Sequence, residues 1–376
     1  MLKKFICKNF KSFKDEIIFD LTKKKEYTFN TDMIENGIVN KGLIYGINGC
    51  GKTNLGLALM DITLHLRDSQ INPFAKTANY SFYLNADSIE KYASFTYIFD
   101  FDGIEVEYRY GKDTNLVLVF EELYVDGKLK MKYDHESKKH DCSFEEVNEE
   151  IWNNLPSGIS ALKYMRNNSS FATDAPINKV LNFVDNMLWF RSLRANEFIG
   201  TFNESDSIDR FIIDNGYLND FEVFLRKCGF DLRLAVIKNV FTNGMLLPTN
   251  LIGVQHKNGL LPFFNTVSTG TAVLSLFYYW MKKCGKQIKF LFIDEFDAFY
   301  HSDLSIEVLK YVLNINYFQS FLTTHNSRLA DNAFIRPDCY FLMKNGEIKS
   351  FADSTNKIIR EGNSIEHMLL SGEFGK

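Results

Sequence analysis

Proline is scarce in this chain, with six in 376 residues, and no tract is rich in Gly, Ser or Pro. With so few breakers and 35 phenylalanines, the chain does not read as disordered. The six cysteines (Cys7, Cys50, Cys142, Cys228, Cys284 and Cys339) are scattered and form no C-x-x-C pair. Their spacing indicates neither a zinc site nor a disulfide framework, and a reducing cytoplasm is the simplest expectation. The seven histidines are dispersed as well. Charge of either sign is not in excess: the net charge of −4 gives no global drive toward nucleic acid, so any such contact needs a local patch. Long apolar runs are missing too. The longest, Ala272 to Met281, is interrupted by a serine and is too short to span a bilayer. Met1 to Cys7 has a basic-apolar strand pattern, not that of a signal peptide. Repeats and sustained heptads are missing, which argues against a solenoid or a long coiled coil. What remains is an ordinary globular balance, 45% hydrophobic and 24% charged, long enough for more than one lobe.

The most informative stretch is Leu43-Ile44-Tyr45-Gly46-Ile47-Asn48-Gly49-Cys50-Gly51-Lys52-Thr53. It reads as a buried strand, then G-x-x-x-x-G-K-T, then a helix from Asn54 to Arg67. That order is the context a phosphate-binding loop requires. Asn48, Gly49, Cys50 and Gly51 would turn backbone N–H groups around a phosphate, and the helix N-terminus adds partial positive charge. Lys52 can reach the β- and γ-phosphates of a nucleotide, and Thr53 can ligate Mg²⁺. The following helix is apolar nearly all round, so it is expected to be buried on several sides, with His65 in a packing role.

Upstream, residues 1–45 read as strands, including Asn9 to Phe13, with Lys23-Lys24-Lys25 as a solvated turn. Downstream, 92–132 reads as a β-meander with hairpins at Asp102-Gly103 and Asp126-Gly127. Helices are predicted over 144–154, 158–166, 175–189 and 207–226. Short strands return at 251–256 and 260–264, and from 266 onward helix and strand alternate. The expected division is a head made of 1–135 and 241–376, with 136–240 inserted as a helical arm or partner-binding lobe. The expected fold class is α/β, with mixed and parallel sheets.

Three later segments complete a candidate site. Lys289 to Ile293 is an apolar strand ending in Asp294-Glu295. Parallel α/β sheets put ligands at the carboxyl ends of their strands, so Asp294 is placed to hold Mg²⁺ and Glu295 to polarise an attacking water. Tyr317 to Thr323 is a strand that leads through Thr324 to His325, placed to meet the γ-phosphate or that water. Val267-Ser268-Thr269-Gly270-Thr271 opens a strongly apolar helix, where Ser268 and Gly270 form a second candidate anion site.

Taken in order, GxNGxGKT, Ser-x-Gly at a helix start, an apolar strand ending Asp-Glu, and a strand leading to His resemble the ABC-type ATPase head. More closely, they resemble its SMC, RecF and OLD (overcoming lysogenisation defect) branch. Phe10-Lys11-Ser12-Phe13 resembles that branch's N-F-R-S-F element, with Lys11 in the arginine position. Asp294 to His301 resembles D-E-x-x-x-x-L-H-P, with Tyr300 for Leu and Ser302 for Pro. Ile365 to Gly375 is similar to the ending of stand-alone members.

The resemblance implies a two-chain ATP sandwich with Mg²⁺. The P-loop, Lys11 and Asp294-Glu295 of one chain would face Ser268 and Gly270 of a second copy. It also implies a Mg²⁺-sensing glutamine, for which Gln70 is the nearest candidate. No room follows His325 for the Toprim nuclease of OLD nucleases. The leading expectation is therefore a stand-alone switch ATPase of bacterial anti-phage defence, working as a homodimer beside a separately encoded effector such as a nuclease or toxin. The alternative is a RecF-like ATPase that binds duplex DNA through a patch drawn from Arg191, Arg194, Arg226, Lys227, Arg233 and Lys238. A third reading, a scaffold that binds ATP without hydrolysis, is disfavoured by the intact Asp294-Glu295 pair. Cys50, inside the loop, reads as a small residue that fits.

Overall fold

A computed structural model describes residues 1–67, 83–191, 198–200, 207–238, 240–242, 245–247 and 250–375. The helix after the phosphate loop, Lys52–Met60, packs against two seven-stranded sheets. One face touches a largely parallel sheet: a Cβ at Gly56 would lie 2.7 Å from Trp189 Nε1 and 2.8 Å from Phe292 Cε1. Another face meets an antiparallel sheet, where the Tyr97 hydroxyl donates to the Ala58 carbonyl at 2.8 Å. Such a helix must be apolar on nearly every side, as its sequence is. It stops at Met60, and a separate short helix follows at Thr63–Leu66.

The antiparallel sheet runs in the order His140–Cys142, Lys128–Asp134, Leu118–Val125, Ile104–Asp113, Tyr92–Phe101, Leu2–Lys8, Ile17–Asp20. Alternating residues of its long strands point inward, among them Phe95, Tyr97, Phe99, Tyr108 and Tyr110. This period-two burial is the pattern that made the meander legible. Residues 9–13, expected to continue a strand, instead form a tight turn: Phe10 and Phe13 exchange backbone hydrogen bonds at 2.9 and 2.8 Å, and Lys11 sits at φ +50°. Lys24 of the lysine turn is held by Asp20 at 3.0 Å rather than left wholly to solvent.

The second sheet runs Phe198–Gly200, Met187–Arg191, Phe290–Asp294, Gln319–Thr324, Lys41–Tyr45, Tyr340–Lys344, Glu347–Ser350. Its five inner strands are parallel and its two outer ones antiparallel. Inner strands covered on both faces need continuous apolar runs, as in Phe290 to Ile293 and Met187 to Phe190, all buried.

That burial explains the main difference from expectation. The helix predicted over 175–189 ends at Asp185, and Met187–Arg191 is a strand of this sheet. A short apolar run with no period fits a buried helix or a buried strand equally well. Residues 187–191 and 198–200, within the stretch expected to form an inserted lobe, therefore lie in the central sheet. Described helices elsewhere in the stretch also pack inward. Ala161–Asn167 begins on buried Glu121, which accepts from the Ala161 backbone at 2.6 Å and the Ser160 hydroxyl at 2.7 Å. Ile208–Asp214 and Leu218–Lys227 lie against the long helix Thr269–Cys284, with Tyr278 donating to Asp220 at 2.5 Å. The predicted helix over 207–226 thus breaks at Asn215-Gly216, and that over 144–154 shrinks to Glu150–Asn153. Among the described residues, no helix is long and apolar enough to cross a membrane.

Just past the central helix, fully buried Asp61 accepts from Lys112 at 2.6 Å, Tyr83 at 2.9 Å and Tyr110 at 2.8 Å. Removing one partner of a buried ion pair leaves an uncompensated charge. Lys112→Met is expected to lower unfolding free energy by about 3 kcal/mol in urea denaturation, well beyond the roughly 1 kcal/mol ceiling of an exposed pair.

Candidate active site

The loop after Tyr45 is held by close approaches. A Cβ at Gly46 would meet the Met343 carbonyl at 2.7 Å, and one at Gly51 would meet the Phe13 ring at 2.8 Å. Gly51 also takes φ +108°, which a side chain would strain. The turn at 10–13 therefore abuts the loop, and Asn54 donates to the Ser12 hydroxyl at 2.7 Å. Asn48 and Gly49 are exposed at the loop tip, while Cys50 is half-buried and donates its N–H to the Ile47 carbonyl at 3.3 Å. Lys11 is in the turn, its ammonium 5.8 Å from the centre of the Phe10 ring, and burial lowers its pKa.

Lys52 bends back over the loop, donating to the Gly46 carbonyl at 2.8 Å and the Ile47 carbonyl at 3.2 Å. Its ammonium also lies 2.8 Å from Nε2 of His325. An ammonium only donates, so Nε2 must accept, and the imidazole is neutral with its proton on Nδ1. Burial and then the Lys52 charge hold the His325 pKa below its ordinary value. Burial likewise lowers Lys52, against the pull of Asp294 and Glu295.

Asp294 is fully buried at the end of its strand. Its Oδ2 accepts from the Thr53 hydroxyl at 2.8 Å, and its Oδ1 from the Thr323 hydroxyl at 2.9 Å. Burial pushes its carboxyl up, while Thr53 and the charge of Arg191 oppose the rise. Glu295, the next residue, takes a left-handed φ of +49°, and its N–H donates to the Thr323 hydroxyl at 2.7 Å. Thr324 holds Asp297 in the turn beyond at 2.7 Å.

Lys52, Thr53, Asp294, Glu295 and His325 thus converge. Ser268 and Gly270 do not join them through any described hydrogen bond. Ser268 is exposed and caps the helix Thr269–Cys284, accepting from the Thr271 N–H at 3.2 Å. Gly270 abuts the turn after the acidic pair, since a Cβ there would lie 2.8 Å from the Phe299 carbonyl. His65 is a core residue paired with the Tyr108 hydroxyl at 3.0 Å. Gln70 and Arg194 lie outside the described residues.

Sequence reasoning missed the place of Arg191 and of the two threonines. Arg191, assigned above to a nucleic-acid patch, has its Nε 3.3 Å from Asp294 and its Nη2 3.4 Å from Glu295. The signal was available: Met187 to Phe190 is an apolar run ending in one charged residue, as Phe290 to Ile293 is before Asp294.

A family model described as "AAA domain, putative AbiEii toxin, Type IV TA system" matches residues 43–331, well over half of the chain. The chain belongs to this family. The solved structures similar to it include SMC heads. One, an Smc head bound to the C-winged helix domain of ScpA, is 14% identical, with 93% of this chain and 96% of that chain covered and a TM-score of 0.45. The SMC head domain from Thermotoga maritima is 17% identical over 93% and 97%, with a TM-score of 0.42. A RecF–ATP structure is 14% identical over 93% and 99%, with a TM-score of 0.38. No curated protein matches. The architecture is α/β: a largely parallel and an antiparallel sheet packed on the helix that follows the P-loop, with the motifs in the expected order.

The contact between Lys52 and His325 can be checked in solution. His325 is expected to titrate below its ordinary value by NMR, and Lys52→Met to raise its midpoint by removing the neighbouring charge while burial remains. An unmoved midpoint would separate the two groups.

Proposed function

We propose that the chain binds ATP with Mg²⁺ at this site and hydrolyses it, pairing with a second copy as a switch for a separately encoded effector in anti-phage defence. The observation that carries the catalytic part is the bond from the Thr53 hydroxyl to buried Asp294, with Lys52, Glu295 and His325 gathered around it. One hydroxyl and one carboxylate suit Mg²⁺, which retains waters and phosphate oxygens as its other ligands. Among the described residues, no group of three or more His, Cys, Asp or Glu could hold a metal by itself, so the donor set fits a cation delivered with phosphate. Thr53 and Asp294 would hold it, and its charge would neutralise the phosphates in the transition state.

The chain's own groups supply the rest. Lys52 leaves the Gly46 and Ile47 carbonyls to bind β- and γ-phosphate oxygens. Glu295, as general base, takes the proton of the attacking water, and the backbone bond to Thr323 fixes where its side chain starts. His325, neutral and within reach of Lys52, orients that water or the γ-phosphate. Ser268 and Gly270 open an exposed N-terminus on a 16-residue helix, which suits an anion carried by another subunit. Gly270 against Phe299 links that surface to the turn after Glu295. The family is that of a putative toxin of a type IV toxin–antitoxin system, which favours a defence-linked role over one in repair. The RecF-like reading has less behind it, because Arg191 faces the acids and Arg226 pairs with Glu222 at 2.9 Å.

Lys52→Ala is expected to abolish ATP turnover and to weaken nucleotide binding. Glu295→Gln is expected to reduce turnover by about 10²–10⁴-fold while ATP binding persists. With ATP and Mg²⁺, the glutamine variant should accumulate as a dimer in light scattering, and Ser268→Arg should prevent that dimer. Unchanged turnover in Glu295→Gln would remove Glu295 from its role. A monomer under these conditions would remove the sandwich.

A further inference from the structure

Arg191 ends its strand where Asp294 ends the neighbouring one, and parallel pairing sets the two residues in register. Its backbone pairs with Asp294 on one side, while the pairing with Phe198–Gly200 on the other stops at Phe190. Nε lies 3.3 Å from Asp294 Oδ2, the same oxygen that accepts the Thr53 hydroxyl. Nη2 lies 3.4 Å from Glu295 Oε2. Despite its nearness to Oδ2, Nε is buried and not aligned for a hydrogen bond with any described group. A buried N–H without an aligned acceptor is costly, so this contact is held by charge rather than by a well-formed bond. A guanidinium cannot relieve the situation by losing its proton.

We propose that Arg191 is a cationic placeholder for the metal: it balances Asp294 and Glu295 in the absence of Mg²⁺ and must withdraw from Asp294 for Thr53 and Asp294 to hold the ion. The inference rests on the nucleotide reading above and adds a regulator to it. An ion held by Thr53 and Asp294 would bring a second positive charge to the carboxylate that Arg191 already faces, and like charges gathered on one carboxylate repel. Metal entry and arginine withdrawal are therefore linked, and Arg191 raises the Mg²⁺ concentration that nucleotide binding requires. Withdrawal leaves the guanidinium on the Glu295 side, where its contact already exists. Arg191 is thus a positioning residue that acts on the acids.

The test uses the full chain and a fluorescent ATP analogue (mant-ATP), with free Mg²⁺ raised stepwise from an EDTA-buffered start. The half-saturating Mg²⁺ concentration is expected to fall about three- to tenfold in Arg191→Ala, the size of one ion pair lost from the competition. Arg191→Gln, polar and closer in length, should fall in the same direction and stands in if the alanine variant fails to fold. Arg191→Lys, which keeps the charge, should remain within about twofold of the parent protein. An unchanged or raised Mg²⁺ requirement in folded Arg191→Ala or Arg191→Gln overturns the proposal while leaving the nucleotide reading intact. A parent protein with no Mg²⁺-dependent mant-ATP binding overturns both.

Discussion

Asp294 is out of contact with solvent, yet both of its oxygens are engaged, by Thr53 from the central helix and by Thr323 from the adjacent strand. Burying a carboxylate is tolerable only with such partners. The pair of bonds makes the phosphate loop, the acidic strand and the strand leading to His325 mutually dependent. Thr323 extends the dependence by fixing the Glu295 N–H with the same hydroxyl. A ligand that draws Thr53 away leaves Asp294 short of a donor, and the other groups facing it must respond. The site is therefore a balanced set of charges and hydroxyls rather than a row of independent side chains.

The central helix extends that balance through the body of the protein. Its first residues carry Lys52 and Thr53. Its middle touches Trp189 and Phe292 of one sheet and Tyr97 of the other, and just beyond its end lies the Asp61–Lys112 pair. A rigid element wedged between two sheets cannot shift its N-terminus without pressing on one of them. The turn at 10–13 and the start of the long helix at Thr269 abut the loop and the acidic turn in the same way.

Much of this was readable from residue order, because a phosphate loop, an acidic strand end and a strand leading to histidine are local patterns. The helix that is apolar all round announced its burial on several sides for the same reason. What could not be read depended on pairing between distant segments. Met187 to Phe190 fits a helix or a strand until its neighbour is known, and only the register with Phe290–Asp294 turns Arg191 from a surface cation into a partner of the acids. Thr323 and Thr324 looked like the polar end of a strand, and their hydroxyls acquire meaning only beside Asp294 and Asp297. Lys11 shows a different limit: Phe10 and Phe13 both face inward at a spacing of three, which period-two alternation does not give and a four-residue turn does.

Glu295 keeps its backbone in a left-handed conformation at φ +49°, a region that costs a residue with a side chain about 1 kcal/mol and that glycine enters freely. Selection for stability alone would favour glycine or asparagine there. Under the role proposed for Glu295, its carboxylate marks a place where foldedness and chemistry pull apart. It also gives the acid a fixed launching direction, because an unusual backbone pinned by a hydroxyl has few other ways to aim its side chain. Variants isolated for heat resistance would be drawn to this position and would surrender the carboxylate for a more relaxed chain.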